Sequence, residues 1–91
     1  MEIKKVGVLG AGIMGTGIAQ VCAEAGYEVI LVDVAESIVN KGYQGIVKNW
    51  TKAVEKGKRT AEDVDKFKAL ITTSLDKTDF KDCDVVIEAI I

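Results

Sequence analysis

The spacing of apolar residues changes twice within the first third of the chain, and each change marks an element. Ile3, Val6, Val8 and Leu9 read as a buried strand. Ile13, Gly17, Ile18, Val21, Cys22 and Ala25 then fall on one face at helical spacing, and Gly26 stops that helix. Tyr27 to Val32 is a second apolar run of strand length, with Asp33 at its end. Two strands joined through a helix are predicted to lie parallel.

The remaining chain repeats this alternation. Glu36 to Glu55 reads as a long helix with Ile38, Gly42, Ile46, Asn49 or Trp50, Ala53 and Val54 as its inward stripe, closed by Gly57. Gly42 and Gly45 weaken it by up to ~1 kcal/mol each unless close packing demands them. Thr60-Ala61-Glu62-Asp63 has the pattern of a helix N-terminus, and the helix it opens carries Val64, Phe67, Leu70 and Ile71 inward. A short strand over 71–74 and a polar connection containing Thr78, Asp79 and Asp82 follow. Val85 to Ile91 is almost continuously apolar, which predicts a strand covered on both faces.

Between the first strand and the first helix stands Gly10-Ala11-Gly12-Ile13-Met14-Gly15, the G-x-G-x-x-G dinucleotide fingerprint in the setting it requires. The first glycine permits a sharp turn, the second admits a pyrophosphate that a Cβ would push away, and the third lets the helix pack closely on the sheet. The first N–H groups of the helix lack intrahelical partners and hold an anion without basic side chains. Accordingly, no Lys or Arg occurs between Val6 and Val32. Asp33, 18 residues after Gly15, stands where an acidic side chain accepts from adenosine ribose hydroxyls. A 2′-phosphate would meet that carboxylate and find no cation in Val34-Ala35-Glu36, so NAD is favoured over NADP, while FAD shares the fingerprint. The expected fold is α/β: a Rossmann-type parallel sheet, first half only, with strand order 3-2-1-4 and helices on both faces.

Composition narrows the function classes. Ninety-one residues make one small domain, and a nucleotide fold of two full halves needs more chain. Residues 1–91 are therefore expected to be the amino-terminal part of such a domain. The outer edge of its last strand is expected to be bare, so that the chain dimerises through that strand, swaps it or aggregates. Cys22 and Cys83 form neither a metal nor a disulfide pattern, so no metal ligand is assigned. There is no histidine, the commonest general base. No leader and no membrane-length apolar run is apparent, which points to the cytoplasm.

Charge adds one further feature. Lys41, Lys48, Lys52, Lys56, Lys58 and Arg59 face a single acid, Glu55, so this segment carries +5 in a chain of net charge −2. Lys41, Lys48, Lys52 and Lys56 share one helix face. Three readings stand: a solvated face, a docking surface for a polyanionic substrate, or a nucleic-acid surface. Trp50 alone interleaves and the whole is acidic, which ranks nucleic acid last.

The form Val8-Leu9-Gly10-Ala11-Gly12-Ile13-Met14-Gly15-Thr16-Gly17-Ile18-Ala19-Gln20 is more specific than the bare fingerprint. It resembles the amino-terminal segment of the 3-hydroxyacyl-CoA dehydrogenases, bacterial 3-hydroxybutyryl-CoA dehydrogenases above all. The likeness continues through Val32-Asp33, Lys56-Gly57-Lys58, Thr60-Ala61-Glu62-Asp63 and Asp82-Cys83-Asp84-Val85-Val86-Ile87-Glu88-Ala89. The resemblance implies NAD-linked oxidation of the 3-hydroxyl of an acyl-CoA, or the reverse reduction, in fatty-acid or butyrate metabolism. It implies cofactor contacts at Gly10, Gly12, Ile13, Met14, Gly15, Asp33 and Ala89, and CoA-phosphate contacts at Lys52 and Lys56. The His and Glu that carry the family's chemistry, and its helical domain, lie beyond the positions matched here. No residue of this chain is therefore assigned a catalytic role, and Glu88 reads as strand-end structure. The alternative expectation is a stand-alone, non-catalytic nucleotide-binding or assembly module.

Overall fold

The computed structural model describes residues 2–89; Met1 and the Ile90-Ile91 end of the last apolar run lie outside the described residues. In chain order the elements are β1 (Lys5–Leu9), α1 (Ile13–Glu24), β2 (Glu28–Val32), α2 (Glu36–Glu55), α3 (Ala61–Leu70), β3 (Ile71–Ser74), a 3-10 helix (Lys77–Asp82) and β4 (Val85–Glu88). The strands form one parallel sheet in the order β3-β2-β1-β4. Register aligns Leu9 with Val32 and Glu88, and Val32 with Ser74. The residues that follow the strands, Gly10, Asp33 and Ala89, therefore gather along one carboxyl edge.

Period-two alternation divides the strands between two unequal cores. Val6, Val8, Val29, Leu31 and Ile71 pack against Ala19 and Ala23 of α1, Val39, Ile46 and Trp50 of α2, and Val64 of α3. The opposite face holds only Leu9, Ile30 and Val32, covered by Phe80 and Cys83 from the 3-10 helix and the residue after it. Helical cover on both faces is thus three α-helices on one side and a six-residue 3-10 helix on the other. In β4, Val85 and Ile87 are half-buried and Val86 and Glu88 exposed. The expectation of a last strand covered on both faces is corrected accordingly.

Two helices are turned relative to the predicted stripes. In α1 the buried residues are Gly15, Ala19 and Ala23, with Ile18 and Cys22 alongside. Ile13, Gly17, Val21 and Ala25 point outward, Ile13 being 95% exposed. A stripe of small residues brings the helix axis nearer the sheet than one of Ile and Val would. The need for that approach is visible at Gly15, where a Cβ would overlap the carbonyl oxygen of Gly10. In α2 the inward residues are Val39, Ile46 and Trp50, while Ile38 and Asn49 are exposed.

The helix ends follow the sequence closely. Gly26 and Gly57, both at positive φ, follow α1 and α2. Thr60 caps α3: its hydroxyl accepts from Asp63 N–H at 3.1 Å, and the Asp63 carboxylate accepts from Thr60 N–H at 3.3 Å. One network across the helices is absent from any sequence pattern. Glu24, the last residue of α1, accepts from the buried Trp50 Nε1–H at 2.8 Å and from Gln20 Nε2 at 3.2 Å, and lies 3.5 Å from Arg59. Phe67 sits 5.4 Å from the Trp50 ring and 5.2 Å from the Arg59 guanidinium, which ties α3 to the same point.

Candidate dinucleotide site

The glycine turn is built from the backbone outward. Gly10 leaves β1 at φ 109°, a conformation that L side chains rarely adopt, and its N–H donates to Val32 O at 2.7 Å. Ala89 N–H donates to Leu9 O at 2.8 Å, extending the β1–β4 ladder to the same level. Gly12 precedes α1, no side chain caps it, and the first turn contains no acid. The first intrahelical bond runs from Thr16 N–H to Gly12 O. The positive end of the α1 dipole is thus open toward the carboxyl edge of the sheet. A Cβ at Gly12 would meet nothing within 4 Å, so the space above the turn is free for a ligand.

Asp33 is fixed in this turn by both carboxylate oxygens. Oδ2 accepts from Ala11 N–H at 2.9 Å and Oδ1 from Val34 N–H at 2.7 Å. The Ala11 N–H bond is the main reason its pKa lies below the usual carboxylate range; burial opposes the shift, and the N–H groups of Val34 and Ala35 add to it. Asp33 is therefore an anion at neutral pH, held against the glycine turn and still half-exposed.

Six of the predicted contacts, Gly10, Gly12, Ile13, Met14, Asp33 and Ala89, line a single cleft of about 270 Å³. Gly15 lies beneath it, in the tight contact with Gly10 already described. Ile38 also lines this cleft. It was expected in the core, and the observed phase of α2 turns it outward in favour of Val39. The distinguishing signal in the sequence is that Val39, rather than Ile38, keeps helical spacing with Ile46 and Trp50.

A second, larger cleft of about 600 Å³ runs between α1 and α2 beside the first, with Gly12, Thr16, Ser37 and Lys41 among its lining residues. Ile13 and Thr16 also line a neighbouring groove bordered by Lys48, Asn49 and Lys52. Lys41 therefore borders the first of these spaces and Lys48 and Lys52 the second, whereas Lys56, the C-cap residue of α2, lies one turn beyond Lys52. Cys22 and Cys83 are free and half-buried, and burial pushes both thiols above their ordinary pKa.

An open helix terminus, a carboxylate beside it at the end of the next strand, and a glycine turn with room above it are the parts of a dinucleotide site. Residues 5–91 match the family described as "3-hydroxyacyl-CoA dehydrogenase, NAD binding domain". The chain belongs to this family. It is 44% identical over 89 residues to a 3-hydroxybutyryl-CoA dehydrogenase of Mycobacterium tuberculosis, covering 98% of this chain and 31% of that protein. It is 40% identical over 90 residues to a glyoxysomal fatty acid beta-oxidation multifunctional protein of Brassica napus, covering 99% of this chain and 12% of that one. Among solved structures, an (S)-3-hydroxybutyryl-CoA dehydrogenase from Ralstonia eutropha superposes with a TM-score of 0.96 at 39% identity, over 99% of this chain and 32% of that one.

The NAD-binding domain of this family is thus the part present here, and the chain spans about a third or less of the length of these relatives. NAD is the cofactor of the family, and the residues present fit its adenosine diphosphate portion: an acceptor for ribose, an uncapped helix end for pyrophosphate, and no steric bar at Gly12. No helix among the described residues is long and apolar enough to cross a membrane.

Proposed function

We propose that this chain supplies the adenosine half of the NAD site of a 3-hydroxyacyl-CoA dehydrogenase, with 3-hydroxybutyryl-CoA or a similar acyl-CoA as substrate. The observation that carries the reading is the meeting of Asp33, the Gly10–Gly15 turn and Ala89 around one cleft at the open end of α1. In this reading Asp33 accepts from the ribose hydroxyls, the N–H groups at the start of α1 bind the pyrophosphate, and Ile13, Met14, Ile38 and Ala89 supply apolar walls. When bound, NAD supplies the hydride acceptor for a 3-hydroxyl group. No residue of this chain is assigned the role of taking the hydroxyl proton.

Lys52 and Lys56 are assigned to the phosphates of CoA, with Lys41 and Lys48 adding to the field along α2. The support is their alignment on one face and the two neighbouring spaces that three of them border beside the cofactor cleft. The same reading includes self-association through β4, whose pairing among the described residues is with β1 alone. It also includes a cytoplasmic setting, by likeness to the bacterial relatives; the plant relative is glyoxysomal.

The test is calorimetric titration with NAD, NADP and ADP-ribose. Saturable binding of NAD and ADP-ribose with NADP much weaker is the expected result. Absence of binding by a folded chain overturns the half-site. For the substrate, the chain is joined to the carboxy-terminal region of the Mycobacterium relative, and NAD reduction with 3-hydroxybutyryl-CoA is expected.

A further inference from the structure

Gly42 lies on the second turn of α2, outside the glycine fingerprint and nine residues beyond Asp33. A Cβ there would stand 2.7 Å from the carbonyl oxygen of Ala11, 2.8 Å from Thr16 Cγ2 and 3.2 Å from Ala11 Cβ. The first of these is backbone, and it belongs to the residue between the first two fingerprint glycines. Thr16 cannot swing away freely, because its hydroxyl donates to Gly12 O at 2.9 Å and to Ile13 O at 3.1 Å. Ala11 is thus held from two sides: its N–H by Asp33, its carbonyl by the surface of α2 at Gly42. Gly45, three residues further along the same helix, faces nothing within 4 Å. Only one of the two glycines is required by contact.

We infer that Gly42 is a positioning residue for the cofactor turn: α2 sets the position of Ala11 and Gly12, and through Ala11 that of the Asp33 carboxylate. This rests on the assignment of NAD to the turn made above. To bring a methyl group at position 42 to an ordinary distance of about 3.4 Å from Ala11 O, turn and helix must separate by about 0.7 Å, more than the ~0.5 Å tolerance of a working binding constellation. No contact between Gly42 and NAD is needed.

The experiment compares wild type, Gly42→Ala and Gly45→Ala by NAD titration, urea unfolding, and the amide resonances of Ala11 and Gly12 in the ligand-free protein. Both substitutions raise helix propensity equally. Gly45→Ala is expected to raise the urea midpoint and leave NAD affinity and both resonances unchanged. Gly42→Ala is expected to shift both resonances and weaken NAD by about tenfold in protein that remains folded. Wild-type affinity and unmoved resonances in Gly42→Ala overturn the inference, as does an equal loss in Gly45→Ala. If Gly42→Ala does not fold, Thr16→Ser/Gly42→Ala removes the methyl at 2.8 Å; folding with weakened NAD binding then supports the inference, and full affinity overturns it. A wild-type chain that binds no NAD removes the assignment of the turn, and the resonances still decide whether α2 positions it.

Discussion

Replacing Asp33 by Asn tests cofactor choice with little change in shape. A carboxylate offers about four acceptor positions. In this structure two are used by Ala11 N–H at 2.9 Å and Val34 N–H at 2.7 Å, one on each oxygen. Beyond these, and the smaller effect of the Ala35 N–H, the carboxylate keeps acceptor capacity for a ribose hydroxyl. Asn keeps one acceptor oxygen and places an NH2 group where the other stood, so one backbone pair and one ribose pair are lost. A hydrogen bond to a charged group contributes about 1.5–3 kcal/mol, and the half-exposed position of Asp33 argues for the lower end. NAD affinity should therefore fall about tenfold. For NADP the carboxylate is a repelling charge; two unit charges ~5 Å apart in water interact by about 1 kcal/mol, so its removal should strengthen NADP binding severalfold. Together these shrink the preference for NAD over NADP by nearly two orders of magnitude. Parallel calorimetric titrations at one fixed low salt concentration measure the ratio. An unchanged ratio refutes the reasoning, because it would mean that Asp33 acts on the turn through Ala11 and never faces the ribose.

Three further outcomes follow from the same geometry. Thr60→Ala breaks the reciprocal cap of α3 and should cost about 1 kcal/mol in urea unfolding, and Asp63→Ala should not add a full second increment, because the two side chains form one motif. Lys52→Glu/Lys56→Glu should weaken CoA binding severalfold at low salt while leaving NAD titrations unchanged, and equal CoA binding would return the lysine face to a solubilising role. Asp33 and Asp84 both have pKa values lowered chiefly by backbone N–H donors, Ala11 for the first and Lys4 for the second. A carboxylate with a lower pKa folded than unfolded stabilises the fold above the unfolded pKa and loses that contribution as pH falls through the folded one. The urea midpoint should accordingly drop below about pH 4, less steeply in Asp84→Asn, and identical acid profiles for the variant and wild type would count against the assignment.

The sheet order came with the fold that the glycine fingerprint signals, and the 3-10 helix was legible only as a polar connection; the order of strands and α-helices, the capping of α3 and the spacing of Gly10, Gly12, Gly15 and Asp33 were legible in the residues themselves. These are local matters: apolar period, turn chemistry and cap residues act over a few positions, and the glycine spacing is itself a statement about backbone. Packing between elements set which way α1 and α2 face, while α3 turns Val64, Phe67 and Leu70 inward as its spacing predicts. Gly15, Ala19 and Ala23 face the sheet because the turn demands close approach there, and hydrophobicity alone would have chosen the larger Ile13 and Val21. It also turned Ile38 from the core to the cofactor cleft, a change traceable in the sequence through the helical spacing of Val39 with Ile46 and Trp50. It decided that Lys41, Lys48 and Lys52 border space against α1, where the helix face alone was predicted. The pairing of Ala11 with Asp33 on one side and Gly42 on the other joins the glycine turn, the end of β2 and the second turn of α2. Hydrogen bonds and steric limits of that kind depend on where separate elements come to rest, and no periodicity along one of them records it.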